Sequence, residues 1–188
     1  MIRAGDTVVN PVTGERLVFE LTSGDTEGEL TRFVTIVDPD GFVAAAHVHP
    51  FQSERFEVLS GRLAIKRGRA KEMLNAGDVA VIEPGTPHTF WNPTGEVVRF
   101  RAEVRPSLQF ESLIETMFAL AAEGKTNRKG MPNPLRLAVI ANHHFDVVRL
   151  PVVPQALQKA ALVPGSLLGR IVGYKPVWEA AAPVPVPA

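Results

Sequence analysis

Three histidines and one glutamate have the residue types and the spacing of a metal-binding site. His47 and His49 lie two residues apart in a predicted strand, residues 41–49, and such residues project from the same face of a strand. Glu54 begins the next predicted strand, and His88 begins a later one that can lie alongside. We therefore expect these four side chains to meet at one point.

The chemistry of these ligands narrows the choice of ion. Three neutral imidazoles and one carboxylate suit Fe, Mn, Ni, Cu, Co or Zn, and are too rich in nitrogen for Mg or Ca. Four protein ligands leave two neighbouring positions of an octahedral ion open, where dioxygen or a chelating substrate can bind. The expected cofactor is one divalent transition metal, and the sequence does not choose among the six.

The same residues also allow less specific interpretations. The four side chains could form a hydrogen-bonded interior cluster, and Glu54 could orient a histidine instead of binding an ion. Glu57 is expected to face outward from the same strand. His143 and His144 are neighbours in a predicted helix, where adjacent side chains diverge by about 100°, so we do not expect them to chelate one ion.

Composition limits the class of protein. The chain has 188 residues, enough for one ordinary domain, and 45% of them are hydrophobic, as in a globular protein. Twenty basic residues balance twenty acidic ones, which argues against a nucleic-acid partner. There is no cysteine, so thiolate ligands and disulfides are excluded. No segment approaches the roughly 18 apolar residues of a membrane span or has the pattern of a leader peptide, so we expect a cytoplasmic protein.

The first half of the chain has the pattern of an all-β domain. Short β-branched and aromatic runs alternate with turn clusters from about residue 6 to residue 104. Ten short strands predict a barrel or a sandwich. The runs are TVVN, RLVFEL, TRFVTIV, GFVAAAHVH, ERFEVLS, RLAIK, EMLN, VAVIE, HTFWN and VVRFRAEV.

The second half has a helical pattern. Apolar residues recur at helical spacing from Phe110 to Ala121, and a second apolar stretch runs from Leu135 to Phe145. Residues 154–168 predict one or two more helices, interrupted at Pro164. The end of the chain, residues 180–188, predicts an extended proline-rich tail. We therefore predict a β-barrel over residues 1–106 and a helical extension over residues 107–188 that packs on it.

Two motifs in the β-rich half resemble those of the cupin superfamily. Gly41, His47, His49, Glu54 and Gly61 reproduce the spacing of the family's first motif. The intervals are five residues, His-x-His, four residues, Glu, six residues and a glycine.

The family's second motif is approximated by Gly77, Gly85, His88 and Asn92. Its usual proline falls on Glu83 in this chain. The chain thus resembles small single-domain bacterial cupins, including the quercetinase-like ones.

This resemblance implies an all-β fold, the double-stranded β-helix or jelly-roll barrel, here followed by C-terminal α-helices. It also implies one interior metal held by three histidines and a glutamate, and a homodimer. Strand alternation from Glu54 turns Phe56 and Val58 inward, and alternation from His88 turns Phe90 and Asn92 inward. These four residues are the expected substrate pocket. Its largely apolar wall suits a hydrophobic small molecule and argues against a phosphorylated sugar.

The function predicted first is that of a metal-dependent oxidoreductase of the dioxygenase kind. In this hypothesis the metal binds a vicinal oxygen pair of a small substrate, and Glu54 is the catalytic residue that accepts the substrate's proton. One alternative is a non-catalytic protein that binds a small molecule. Another is a metal-dependent isomerase of a sugar or keto acid, which needs no oxygen.

Overall fold

The computed structural model describes residues 2–151 and 153–178. The predicted proline-rich tail, residues 180–188, lies outside the described residues. Among the described residues, no helix combines the length and the apolar character needed to cross a membrane.

Nine strands and three helices make up the described part of the chain. The strands are β1 (Thr7–Asn10), β2 (Glu15–Leu21), β3 (Thr31–Val37), β4 (Ser53–Ser60), β5 (Arg62–Arg67), β6 (Ala70–Asn75), β7 (Val79–Ile82), β8 (His88–Trp91) and β9 (Val98–Arg105). The helices are α1 (Phe110–Ala122), α2 (Pro134–His143) and α3 (Gln155–Ile171).

The strands form two antiparallel sheets, one of six strands in the order β1-β2-β3-β9-β4-β7 and one of three in the order β6-β5-β8. Alternation in the sequence decides which face of each strand enters the core. In β9, Val98, Phe100, Ala102 and Val104 are buried, whereas the residues between them are charged and more exposed. In β4 the same alternation directs Glu54 inward, at a position where apolar side chains are the rule.

The predicted strand over residues 41–49 is wrong. The structure has only isolated bridges in this segment, at Phe42, His47 and Val48. The cause is a mismatch in register, because the Val43 N–H donates to Phe90 O (3.2 Å) and the His47 N–H donates to His88 O (3.0 Å). Between these two hydrogen bonds the segment before His47 advances four residues, whereas β8 advances only two. The alanines at 44–46 therefore bulge out of the ladder.

The helices end close to where their sequence patterns end. In α2, Asn133 caps the first turn by accepting a hydrogen bond from the Arg136 N–H (3.0 Å), and Pro134 occupies the first turn.

The predicted interruption of α3 at Pro164 is wrong, since the helix continues to Ile171. Packing against α2 offsets the lost hydrogen bond, because Gly169 brings α3 close to the backbone of Leu135.

Helix α1 packs on the barrel and shares its apolar core. Phe110 and Phe118 of α1 belong to the same buried cluster as the barrel residues. The rings of Phe33 and Phe110 stack with centroids 5.5 Å apart. Val147, which follows α2, belongs to this cluster too. This packing brings the C-terminal segment next to the histidines at residues 47 and 49.

Candidate metal centre

The structure brings the four predicted ligands together in the barrel interior. One ligand atom from each of His47, His49, Glu54 and His88 can be chosen so that all four atoms lie within 4.8 Å of one another. The ring centroid of His47 is 4.9 Å from that of His49 and 4.3 Å from that of His88. Both sheets contribute, because Glu54 lies on β4 of the larger sheet and His88 lies on β8 of the smaller one.

Backbone carbonyls determine which nitrogen of each histidine faces the centre. Nδ1 of His47 lies 2.8 Å from Ala45 O, and Nδ1 of His88 lies 3.0 Å from Thr86 O. In both cases the carbonyl belongs to the residue two positions earlier. A carbonyl oxygen only accepts hydrogen bonds, so Nδ1 carries the hydrogen and Nε2 presents its lone pair.

The third histidine takes its partner from the C-terminal extension. Nδ1 of His49 lies 2.5 Å from the carbonyl oxygen of Val147. Next to this contact, Val48 and Arg149 exchange two backbone hydrogen bonds, of 3.0 and 2.9 Å. The segment after α2 therefore pairs with the metal-site loop and orients one of its rings. Sequence reasoning missed this contact, because a backbone carbonyl has no sequence signature.

The centre contains buried polar atoms that lack a hydrogen-bond partner. Nε2 of His49, Nε2 of His88 and Oε2 of Glu54 are all in this condition. His88 Nε2 lies 2.7 Å from Glu54 Oε2, and His49 Nε2 lies 3.6 Å from Glu54 Oε1. When both imidazoles are neutral with Nδ1 protonated, these pairs bring lone pairs face to face, and either a proton on Nε2 or a metal cation between the ligands relieves this. The residues therefore fit a divalent metal ion.

Burial and mutual contact set the charges of the ligands. Burial, together with the neighbouring His88 and His49, lowers the pKa of His47 to about 3. Burial alone would raise the pKa of Glu54, but the three histidines outweigh it and lower this pKa to about 2. The pKa of His88 is also lowered by burial, yet contact with Glu54 outweighs this effect and raises it above its usual value. A neutral His47 and an ionised Glu54 are the forms that bind metals.

The four ligands lie on the wall of a cavity of about 480 Å³, a size typical of small-molecule sites. Its surface is mostly apolar and comes from the barrel and from all three helices. Apolar side chains that line it include Leu17, Phe33, Phe56, Phe90, Phe100, Leu113, Met117, Ile140 and Leu157.

The four predicted pocket residues differ in where they lie. Phe56 and Phe90 line the cavity, with their ring centroids 5.9 Å apart. Val58 faces inward but belongs to the apolar core and is not a lining residue. Asn92 does not line the cavity either, and its amide donates to the carbonyl oxygens of Val37 (3.1 Å) and Glu96 (2.7 Å). The family's asparagine position thus closes a corner of the barrel here.

His144 is buried at a distance from this cluster. Its Nδ1 lies 3.0 Å from Ile140 O, and its Nε2 lies 3.3 Å from the Ser112 hydroxyl. Burial lowers the pKa of His144 to about 4. The His144 side chain thus contacts both α2, through Ile140, and α1, through Ser112. Its neighbour His143 is exposed.

Sequence reasoning also missed a buried glutamate in the cavity wall. Glu15 is 5% exposed and lines the cavity with Asn10 and Thr35. Its inward position could have been predicted from the sequence, because Glu15 alternates in step with Leu17 and Phe19 and so lies on the same, buried face of β2. A charged residue at an inward position of a strand is unusual and indicates a specific environment.

Comparison with known proteins identifies the class of this fold. Residues 33–104 match the family model for the cupin domain. A predicted oxalate decarboxylase from Thermotoga maritima superposes with a TM-score of 0.50 at 17% identity, covering 56% of this chain and 98% of its own. The fold is the cupin double-stranded β-helix, with mostly antiparallel strands in two sheets and three C-terminal helices.

The chain is also similar to two further proteins. An oxidoreductase of Arthrobotrys oligospora is 31% identical over 99 residues, which cover 46% of this chain. The chain spans 39% of the length of that relative. A double-stranded β-helix protein from Klebsiella pneumoniae is 24% identical, with a TM-score of 0.44, covering 57% of this chain and 84% of its own.

Proposed function

We propose that this protein is a metal-dependent oxidoreductase of the dioxygenase kind that acts on a small, largely apolar, oxygenated molecule. The observation that carries the proposal is the convergence of three imidazoles and a carboxylate on the wall of an apolar cavity. The relative from Arthrobotrys oligospora is named an oxidoreductase, which supports this reaction class.

In this proposal His47, His49, Glu54 and His88 hold the ion. When bound, the ion would supply Lewis acidity towards the oxygen atoms of a substrate, and a redox-active ion would also supply electron exchange with dioxygen. The rings of Phe56 and Phe90 contact the apolar body of the substrate and exclude water from the reacting end. Exclusion of water strengthens every electrostatic interaction in the site.

Glu54 would also accept a proton from the substrate. Its Oε2 accepts no hydrogen bond when Nε2 of His88, 2.7 Å away, is unprotonated, and it can then receive the substrate's proton. The low pKa of this carboxyl, about 2, makes it a weak base. Glu54 therefore suits an acidic hydroxyl, such as the enol of a diketone or the 3-hydroxyl of a flavonol, better than an alcohol.

Charge in the cavity disfavours a phosphorylated substrate. Apart from the histidines, Arg149 is the sole cationic side chain among the described lining residues. Its guanidinium already donates to Phe145 O (2.9 Å), to Gln155 Oε1 (2.9 Å) and to Asp146 Oδ1 (3.2 Å). A phosphate would have to displace these partners.

Oxygen uptake tests the reaction class directly. The protein is loaded in turn with Fe, Mn, Ni, Co, Cu or Zn and supplied with a flavonol or a diketone, and dissolved oxygen is followed with an electrode. We expect stoichiometric oxygen uptake that is lost in His88→Ala and kept in His143→Ala, since His143 lies outside the cluster. Tight binding of the unchanged compound, or interconversion of sugar or keto acid isomers without oxygen, would replace this proposal with one of its alternatives.

We also propose that the protein is a homodimer. β1 and β7 are the edge strands of the larger sheet, and edge strands are common sites of pairing. On β7, Val79 and Val81 point outward and are 47% and 41% exposed. Light scattering of the purified protein at micromolar concentration tests this proposal, and a monomer would contradict it.

A further inference from the structure

Three polar residues project from one face of adjacent strands in the cavity wall. Asn10 of β1 is the direct cross-strand partner of Glu15 in β2. Thr35 of β3 is the cross-strand partner of Leu17, which lies on the same face of β2 as Glu15. Asn10, Glu15 and Thr35 all line the cavity and are all at most 5% exposed. They form a polar patch in a wall that is otherwise mostly apolar.

Each member of this patch keeps unused hydrogen-bonding capacity. Oε2 of Glu15 accepts from the Thr13 hydroxyl (2.7 Å), whereas its Oε1 has no hydrogen bond within the described residues. Oδ1 of Asn10 accepts from the N–H groups of Val12 (3.1 Å) and Thr13 (3.2 Å), and its Nδ2 has no partner there either. The Thr35 hydroxyl likewise has no hydrogen-bond partner among the described residues. None of these three atoms is fully buried, so each is accessible from the cavity, where a ligand can pair with it.

The protonation state of Glu15 indicates the chemistry of that ligand. Burial raises the pKa of Glu15 to about 8, and the hydrogen bond from Thr13 only partly opposes this. The carboxyl is therefore uncharged at neutral pH. Because Oε2 already accepts a hydrogen bond, the acidic hydrogen is best placed on Oε1. Glu15, Asn10 and Thr35 then all offer donors, which suits an acceptor oxygen without charge.

The patch lies farther along the larger sheet than Glu54. Thr31 pairs with Val104, which in turn pairs with Glu54, so the three residues form one row across the sheet. Thr35 is four residues from Thr31 along β3, which corresponds to about 13 Å. The ring of Phe33 lies on the stretch between the two sites.

We propose that Asn10, Glu15 and Thr35 form a second binding site in the cavity, which holds an uncharged hydroxyl or carbonyl oxygen at the end of an elongated apolar molecule. Occupation of this site needs no metal. The proposal therefore stands apart from the proposed oxidoreductase function and can be tested on metal-free protein.

The test compares three probes that share one alkyl chain and differ in the charge of the head group. Octan-1-ol, octan-1-amine and octanoate are titrated into the metal-free full chain at pH 6.5, and Kd is measured by calorimetry. The variants are Glu15→Leu, which removes the hydrogen bond, and Glu15→Gln, which keeps an uncharged donor. Glu20→Gln is the matched control, because Glu20 lies on the same strand and pairs with Arg101 (3.0 Å) instead.

We expect octan-1-ol to bind most tightly, and its Kd to rise about two- to tenfold in Glu15→Leu, as the loss of one hydrogen bond predicts. Glu15→Gln and Glu20→Gln should stay within about twofold of the unaltered protein. Equal affinity in Glu15→Leu, tighter binding of the amine, or no binding of the alcohol would overturn the proposal.

A second measurement keeps the test valid if Glu15→Leu does not fold. In the unaltered chain, a carbon-13 label on the glutamate carboxyls reports on Glu15, whose signal is identified by its loss in Glu15→Gln. Octan-1-ol should shift this signal and leave that of Glu20 in place. An unshifted Glu15 signal at saturating alcohol would overturn the proposal as well.

Discussion

Nδ1 of His49 lies 2.5 Å from the carbonyl oxygen of Val147, a residue 98 positions later in the chain. This contact connects the C-terminal extension to the candidate metal centre. It aims Nε2 of His49 at the other ligands, and such outer contacts raise the basicity of a ligating imidazole. The extension is therefore part of the site as well as a cover for the cavity.

Loosening this contact should weaken metal binding. Val147 is 2% exposed and packs in the core, so Val147→Ala removes the packing that holds its carbonyl in place. We expect the Kd for the metal to rise about tenfold, with a loss of about 1 kcal/mol in the free energy of unfolding. A competition titration with a chelating dye measures the Kd. Val153→Ala, at a residue 36% exposed, is the control, and equal affinity in both variants would contradict the account.

The two proposed roles of Glu54 can be separated by substitution. Glu54→Gln keeps an oxygen for the ion but is a far weaker base than the carboxylate. If Glu54 accepts the substrate's proton, turnover should fall by about 100-fold or more while most of the metal is retained. Glu57→Gln is the control, because Glu57 points outward on the same strand and pairs with Arg55 (2.7 Å). Loss of the metal together with the activity would show that Glu54 is only a ligand.

Stability should depend on pH through Glu15. Its pKa is about 8 in the folded chain against a usual value of 4.5, so the folded state holds the proton more tightly. The contribution of Glu15 to the free energy of unfolding should therefore be largest below about pH 4.5, fall as pH rises towards 8, and then level off. The expected total fall in this contribution is on the order of 5 kcal/mol.

Glu15→Gln should remove this fall and stabilise the protein at pH 8. Urea unfolding followed by circular dichroism at pH 5, 6.5 and 8 measures the effect. The control is Glu20→Gln, which leaves the buried carboxyl in place. Parallel pH curves for the unaltered protein and Glu15→Gln would show that Glu15 is not a buried neutral acid.

The first glycine of the cupin-like motif is required by close packing. A Cβ at Gly41 would lie 2.7 Å from Val37 Cγ1 and 2.9 Å from Asp38 O. We expect Gly41→Ala to cost about 1–3 kcal/mol in urea unfolding. Gly95→Ala is the matched control, because a Cβ there meets nothing within 4 Å. Equal stability of the two variants would refute this explanation of the motif.

The ligand set could be predicted from sequence because its spacing is local. His47 and His49 need only two residues of extended backbone to share a face, and the bulge before them leaves that relation intact. The strand predicted around them is wrong, since register depends on the opposing residues near Phe90 and not on composition.

Other features depend on contacts between distant parts of the chain. No pattern in the sequence points to the carbonyl of Val147 as the partner of His49. The course of α3 through Pro164 depends on close packing at Gly169, which local propensity does not report. The position of Glu15 could have been predicted, because strand alternation places its carboxyl on the same inward face of β2 as Leu17.

The most direct test of the metal centre is elemental analysis of the protein purified without added metal. The comparison includes the double variant His47→Ala/His49→Ala and the control His143→Ala. We predict about one equivalent of a transition metal in the unaltered protein and in the control, and almost none in the double variant. Absence of metal from the unaltered protein, even after reconstitution, would contradict the account, as would equal metal in all three proteins.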